Sequence, residues 1–126
     1  MILDTCALLW IAAGEHKKFS DETLNLIYNA PILFIVTITG FEIGIKHQAG
    51  KLMLPAQPKE WIDTILSFHG IDIMNLDLDI CIKATELPTI HKDPCDRLII
   101  AAALTHNLPV VTSDKRFSEY GVQVVI

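Results

Sequence analysis

Short apolar runs and amphipathic stretches alternate along the chain, which predicts strands and helices in turn. The predicted strands cover residues 1–4, 32–36, 71–76, 109–113 and 122–126. The predicted helices are 5–13, a helix from the cap Ser20 to the stop Pro31, a helix capped by Thr39 and running through Ala49, then 58–69, 78–87 and 94–106. The alternation predicts an α/β domain over residues 1–126, with a mostly parallel sheet and helices on both faces.

Composition and cysteine content narrow the class of protein. Hydrophobic residues make up 51% and charged residues 20%, which is typical of a globular chain and not of a disordered one. No apolar run approaches the roughly 18 residues that cross a bilayer, and the N-terminus lacks the basic start of a secretory signal. The odd count of three distant cysteines argues against a disulfide framework and a zinc knuckle, and it predicts small buried thiols in a reducing cytoplasm.

The net charge of −5 argues against a protein that holds nucleic acid by bulk electrostatic attraction. A chain of this charge that acts on a polyanion needs its own acidic groups neutralised first. A bound divalent cation meets that need.

Four acids, Asp4, Glu42, Asp96 and Asp114, fall at predicted strand ends or in the first turn of the next helix. Each has an ordinary alternative role. Asp4 caps a helix, Asp114 starts a turn, and the pairs Thr39–Glu42 and Asp93–Asp96 have the spacing of capping boxes.

The four positions gain meaning together, because parallel strands end at one edge of a sheet and ligands bind there. Acids that meet at one edge repel each other unless a cation lies between them. A pocket of carboxylate oxygens suits Mg²⁺ or Mn²⁺ better than zinc, and such a site serves phosphodiester hydrolysis.

Other polar residues near this edge are candidates with weaker support. The hydroxyls of Thr5 and Ser113 are placed to orient a carboxylate or a water. Lys46 either pairs with Glu42 one helical turn away or contacts substrate. Basic residues after the last acid are candidates for phosphate contacts or are simply solvated, and a histidine before Asp93 either touches substrate or has no role; these are Lys115, Arg116 and His91.

Four stretches resemble the PIN-domain family in its VapC-like toxin branch: LDTCALLW from Leu3, FEIGIKHQAGKL from Phe41, HKDPCDRLIIA from His91 and LPVVTSD from Leu108. The resemblance implies a five-stranded parallel sheet and cleavage of RNA that depends on Mg²⁺ or Mn²⁺. It matches the four acids to the family's acidic quartet and gives Asp93 an accessory role. It also implies a homodimer and a small antitoxin protein that covers the acidic site.

Two residues depart from the family's usual pattern without touching the quartet, Cys6 and Phe41. Two alternatives stay open. One is a non-catalytic interaction module with the same fold, and the other is a metal-dependent phosphatase or DNA nuclease using the same acids. A further apolar set is predicted to be core, with a partner groove as its alternative: Leu8, Leu9, Ile11 and Trp61.

Overall fold

The structure, a computed structural model that describes residues 1–126, contains one five-stranded sheet in which all neighbouring strands are parallel. The strands are β1 (Ile2–Leu3), β2 (Leu33–Val36), β3 (Ile71–Met74), β4 (Val110–Val111) and β5 (Val124–Val125). They lie side by side in the order β3-β2-β1-β4-β5. The predicted five-stranded parallel sheet is confirmed.

Six α-helices connect the strands: α1 (Thr5–Ala13), α2 (Asp21–Asn29), α3 (Ile38–Gln48), α4 (Pro58–His69), α5 (Leu78–Glu86) and α6 (Pro94–His106). Two 3₁₀ helices, His16–Lys18 and Lys115–Tyr120, complete the fold. Two of the predicted helix caps are confirmed. Asp4 accepts the amide of Ala7 at 2.8 Å, and Ser20 accepts that of Thr23 at 3.1 Å.

The prediction that Thr39 caps α3 is wrong. The cap position is two residues earlier, at Thr37, which already has helical backbone angles directly after β2. The hydroxyl of Thr37 accepts the amide of Leu76 at 3.1 Å instead of capping α3. Thr39 is fully buried inside the helix, so the proposed capping box with Glu42 does not form.

Alternate residues of the central strands face opposite sides of the sheet. Ile2 and Val110 belong to the core under α5 and α6, whereas Leu3 and Val111 belong to the core under α1 to α4. Apolar contacts on both sides therefore clamp the sheet, and helices on both faces are confirmed.

Some predictions of burial need correction. The three cysteines are unpaired as expected, but Cys6 is exposed and the other two are only half-buried, because their helical neighbours take the positions that face the sheet. Leu8 is fully buried, and the rest of its predicted set packs against the same core: Leu9, Ile11 and Trp61. Phe68, an apolar residue near the end of α4, is 82% exposed.

No helix in the structure has both the length and the apolar character required to cross a membrane.

The order of the strands fixes where polar groups can meet. From β1 the chain moves to one side to form β2 and β3, and then crosses to the other side for β4 and β5. The boundary between β1 and β4 is therefore the switch point of the sheet, where ligands of parallel α/β folds bind. Asp4 follows β1 there, and Asp114 comes shortly after β4.

Candidate metal centre

A cleft of about 240 Å³ opens at the switch point. It is lined by residues from four separate parts of the chain: Asp4, Thr5, Cys6, Glu42, Lys46, Asp93, Asp96, Ser113 and Asp114. The structure thus brings together all four acids of the predicted quartet, the accessory acid and both predicted hydroxyls. Of the three predicted substrate-binding residues, only Lys46 lines the cleft, and Lys115 and Arg116 lie outside it.

Asp4 is the most buried of the acids, with 7% of its surface exposed. Its Oδ1 caps α1, so the side chain is held at the end of β1 with one oxygen committed to the backbone. Burial raises the pKa of this carboxyl, the hydroxyl of Thr112 and the amide of Ala7 lower it, and the charges of Glu42 and Asp114 raise it further.

Glu42 lies in the second turn of α3 and has 14% of its side chain exposed. Its Oε1 is 3.9 Å from Nζ of Lys46, so the predicted pairing one helical turn apart is present as a loose ion pair. Lys46 is a positive side chain lining the cleft and it offsets only part of the negative charge there.

In the predicted capping box, Asp93 caps α6 and Asp96 accepts the backbone amide of Asp93. Only the first of these two contacts forms. Asp93 caps the helix and accepts the amide of Cys95 at 2.9 Å, as predicted. Asp96 does not reach back to the amide of Asp93, because that amide donates to Nδ1 of His91 at 3.2 Å. Burial and the charge of Asp93 raise the pKa of Asp96 to about 6, despite the opposing effect of His91.

Asp114 is the acid with the most hydrogen-bond donors around it. Its Oδ1 accepts the amide and Nε of Arg116, both at 3.0 Å, and the amide contact caps the last 3₁₀ helix. Its Oδ2 accepts the guanidinium of the same arginine at 2.7 Å and Nε2 of His91 at 2.9 Å. These contacts, first among them the side-chain hydrogen bonds of Arg116, hold the pKa of Asp114 at about 2.

His91 is the functional candidate that sequence reasoning undervalued. The sequence leaves it with either a substrate contact or no role, whereas in the structure it is only 2% exposed and its ring lies between two acids. Nε2 is 3.0 Å from Oδ2 of Asp96 and 2.9 Å from Oδ2 of Asp114. Only its position two residues before the cap Asp93 could have signalled a role in the sequence.

The loop that carries His91 is fastened to the fold from two sides. Tyr120 accepts the amide of His91 at 2.7 Å and donates to the carbonyl of Pro88 at 2.7 Å. Arg97 donates to four backbone carbonyls, those of Ala84, Leu87, Pro88 and His91, at 2.8 to 3.0 Å. Arg97 therefore serves the fold and is not available to bind phosphate.

The chemistry of the cleft fits a hard divalent cation. Its donors are carboxylate and hydroxyl oxygens, and an oxygen of Asp96 and one of Asp114 lie within 4.8 Å of each other and of Nε2 of His91. Burial, and then the charges of neighbouring acids, raise the pKa of Asp4 and Asp96, so these two acids lack a base that balances them. Asp4, Glu42, Asp96 and Asp114 are the residues that would hold Mg²⁺ or Mn²⁺.

A larger cavity of about 900 Å³ lies at the opposite edge of the sheet, beside the starts of the strands. Apolar side chains dominate its lining, among them Met1, Leu26, Ile32 and Phe34. It contains no cluster of ionisable groups, so its size alone does not make it the site of chemistry.

The chain is similar to known proteins over nearly its whole length. A family model described as PIN domain matches residues 1–123. Ribonuclease VapC22 of Mycobacterium tuberculosis is 25% identical over 121 residues, which is 95% of this chain and 91% of that protein.

Two solved structures share the fold. The VapBC2 complex of Rickettsia felis, bound to a DNA fragment from its promoter, contains a chain with a TM-score of 0.71 and 19% identity, covering 98% of this chain and 95% of that one. A toxin–antitoxin complex from Klebsiella pneumoniae gives a TM-score of 0.68 and 21% identity, covering 99% of this chain and 95% of that one.

Proposed function

The chain belongs to the PIN domain family, and from this premise we propose that it is a metal-dependent endoribonuclease that hydrolyses RNA phosphodiester bonds. The observation that carries the proposal is the convergence of Asp4, Glu42, Asp96 and Asp114 on one cleft at the switch point of the sheet. The raised pKa values of Asp4 and Asp96 support it, because groups under such strain cluster at functional sites.

A bound Mg²⁺ or Mn²⁺ supplies positive charge beside the phosphate and makes a water more acidic. The chain's own part is to hold oxygens in place for it. Asp4 is fixed by its cap contact, and Oδ2 of Asp96 lies 3.0 Å from Nε2 of His91, so both carboxylates are held beside the cleft. Asp93 is accessory, since it caps α6 and adds negative charge beside Asp96.

The hydroxyls and bases around the cleft would position the substrate. Thr5 and Ser113 line the cleft with hydroxyl groups that can orient water or a carboxylate. Lys46 reaches the same cleft from α3. Lys115 and Arg116 lie just beyond it, where a backbone phosphate of a bound strand can meet them.

The names of the related proteins support a biological setting for this activity. We propose that the chain is the toxin of a toxin–antitoxin pair, that it acts as a homodimer on cytoplasmic RNA, and that a small antitoxin protein blocks the acidic cleft. The support is the likeness to a ribonuclease of the VapC type and to chains found in toxin–antitoxin complexes.

The test is cleavage of labelled total RNA by the purified protein, with Mn²⁺ or with EDTA. The informative variant is Asp4→Asn, because an amide oxygen can keep the cap on α1 while the charge is lost. We expect at least about a hundredfold loss of cleavage in Asp4→Asn, and similar losses in Glu42→Gln and Asp96→Asn, since each removes a charge that holds the cation. Asp79→Asn, at an exposed acid of α5 outside the cleft, is the matched control and should cleave like the wild type.

The outcomes separate the alternatives. Cleavage that survives EDTA or the Asp4→Asn change contradicts the proposed chemistry. A folded protein, free of any partner, that cleaves no RNA supports the non-catalytic module. Metal-dependent hydrolysis of DNA or of a phosphate monoester, without cleavage of RNA, supports a DNA nuclease or a phosphatase that uses the same acids. Growth arrest on induced expression of the wild type, but not of Asp4→Asn, tests the role as a toxin.

A further inference from the structure

His91 lies behind the acidic cleft and does not line it. Its two ring nitrogens have different partners. The backbone amide of Asp93 can only donate, so Nδ1 accepts that hydrogen bond at 3.2 Å and carries no proton. The ring proton is therefore on Nε2, which faces Oδ2 of Asp96 at 3.0 Å and Oδ2 of Asp114 at 2.9 Å.

We propose that His91 is a positioning residue that holds the Asp96 and Asp114 carboxylates at a fixed separation for the bound cation. The inference rests on the proposed function, because it concerns the same metal centre. Nε2–H donates to Asp114, and Oδ2 of Asp96 faces the same N–H at 3.0 Å, so the positive end of this dipole lies between the two carboxylates and weakens their repulsion. It engages Oδ2 of each acid and leaves Oδ1 of Asp96 free to turn into the cleft.

The alternative role for His91 is that of a direct ligand, since Nε2 lies within 4.8 Å of oxygens of both acids. A histidine binds a metal through the lone pair of an unprotonated nitrogen. Here Nε2 carries the proton that faces the acids, and Nδ1 faces the backbone of Asp93. Neither nitrogen offers a lone pair to the cleft, so the geometry favours positioning over ligation.

The ring can set this separation because the ring is itself fixed. Phe117, a fully buried residue, packs against it in a T-shaped arrangement with ring centroids 6.0 Å apart and planes at 80°. The amide of His91 donates to the hydroxyl of Tyr120, and its carbonyl accepts from Arg97. Groups that orient metal ligands act in this way when their own rotamers are locked by packing and hydrogen bonds.

The contact also joins two acids from distant parts of the chain. Asp96 belongs to the first turn of α6, whereas Asp114 follows β4 at the switch point. His91 sits in the loop before α6 and contacts both. A cation held by both acids therefore depends on this contact for its coordination distance.

Two substitutions of His91 distinguish the contacts made by Nε2 from the contact made by Nδ1. His91→Gln places an amide N–H₂ near the position of Nε2, so it can donate to both acids, but it offers nothing in place of Nδ1. His91→Asn places an oxygen near the position of Nδ1, so it can accept the amide of Asp93, but it reaches neither acid. The control is His106→Asn, at an exposed histidine at the end of α6.

The first readout is the dissociation constant for Mn²⁺, measured by electron paramagnetic resonance on the full chain without RNA. We expect His91→Asn to weaken Mn²⁺ binding by about tenfold or more, the usual loss when a group that orients a ligand is removed. His91→Gln should stay within about threefold of the wild type and should keep most RNA cleavage. His106→Asn should match the wild type in both.

Equal Mn²⁺ affinity in folded His91→Asn and wild type would overturn the inference, whether or not the protein cleaves RNA. A wild type that binds Mn²⁺ but cleaves no RNA would instead overturn the proposed function and leave this test intact. If His91→Asn does not fold, folded His91→Gln decides, because a tenfold weaker affinity there contradicts the rescue.

A measurement on the wild type needs no substitution. Long-range ¹⁵N–¹H spectra at pH 8 report which ring nitrogen carries the proton. We expect the Nε2–H form of His91 both before and after addition of Mg²⁺. Any other protonation pattern, or a change of tautomer on adding Mg²⁺, contradicts the positioning role.

Discussion

The acidic cleft and the loop behind it are neighbouring polar regions that handle charge in opposite ways. At the loop of residues 87–91, Arg97 donates to three carbonyl oxygens of the loop and to a fourth in α5, and the hydroxyl of Tyr120 both donates and accepts. In the cleft, Asp4 and Asp96 carry raised pKa values because neighbouring acids and burial act together.

The loop contributes to the stability of the fold, whereas the cleft lowers that stability and is explained by function. A saturated network of hydrogen bonds stabilises the fold and has no capacity left for a ligand. A group of acids that folding has forced together lowers stability, and it persists where a function needs it. His91 belongs to both regions, since its backbone is fastened in the loop and its ring contacts the cleft.

The largest effect on stability should come from removing the hydrogen bonds that Arg97 makes at the loop of residues 87–91. Arg97→Ala removes four hydrogen bonds from a charged donor, and it leaves the carbonyls at the end of α5 without their partner. We expect the free energy of unfolding to fall by about 3 kcal/mol. Urea denaturation followed by circular dichroism measures this change.

Arg116→Ala is the matched control for this prediction, because it removes an exposed arginine that contacts only one carboxylate. A loss of stability in Arg97→Ala no greater than in Arg116→Ala would show that the loop network contributes little to the fold.

A smaller effect on stability, of opposite sign, should come from removing one negative charge from the acidic cleft. Asp96→Asn removes a charge that neighbouring acids disfavour, so the metal-free protein should become more stable at pH 7, by on the order of 1 kcal/mol. Because the pKa of Asp96 is raised to about 6, the folded state binds its proton more tightly than the unfolded state does. The stability that this proton confers is present below about pH 4 and is lost as pH rises to about 6.

The thermal unfolding midpoint of the metal-free protein checks this sign. The gain from Asp96→Asn should grow between pH 4 and pH 6.5 and should reverse when saturating Mg²⁺ is present. A gain that is constant across this pH range would mean that Asp96 is not strained in the folded state.

The smallest effect on stability is expected from the ion pair between Arg116 and Asp114 at the rim of the cleft. Arg116 is an exposed side chain paired with Asp114, and surface pairs of this kind contribute little to folding. The pair does occupy both oxygens of Asp114, which a cation also needs. Arg116→Gln should therefore leave unfolding nearly unchanged while Mn²⁺ binds a few-fold more tightly, and calorimetric titration would detect the change. Weaker Mn²⁺ binding would show instead that the arginine helps to orient Asp114.

Much of the fold was predictable because local signals and burial agreed. The bounds of α1, α4 and α6 follow from a cap or a proline at the start and a left-handed Gly14, Gly70 or Asn107 at the end. The central strands β1 and β4 followed from apolar runs that are buried on both faces. The start of α3 was missed because Thr39 has the composition of a cap, whereas the backbone enters the helix directly from β2.

The site was predictable only in part, for a physical reason. Parallel strands deliver their ends to one edge, so acids at strand ends could be placed together without knowing any distance. The contact of His91 with two acids depends on how a loop returns over the sheet, and no periodicity encodes that path. The same limit applies to Arg97, whose charge suggested the surface but whose partners are backbone carbonyls.

The position of β1 in the middle of the sheet has a consequence for the chain during its synthesis. One edge of β1 pairs with β2, which follows closely, but the other pairs with β4, which begins at Val110. A growing chain that has not yet exposed Val110 lacks half of the pairing around Asp4, and it lacks Asp114 altogether. The acidic cleft is therefore assembled last, and an unfinished chain on the ribosome carries the other acids without a complete centre.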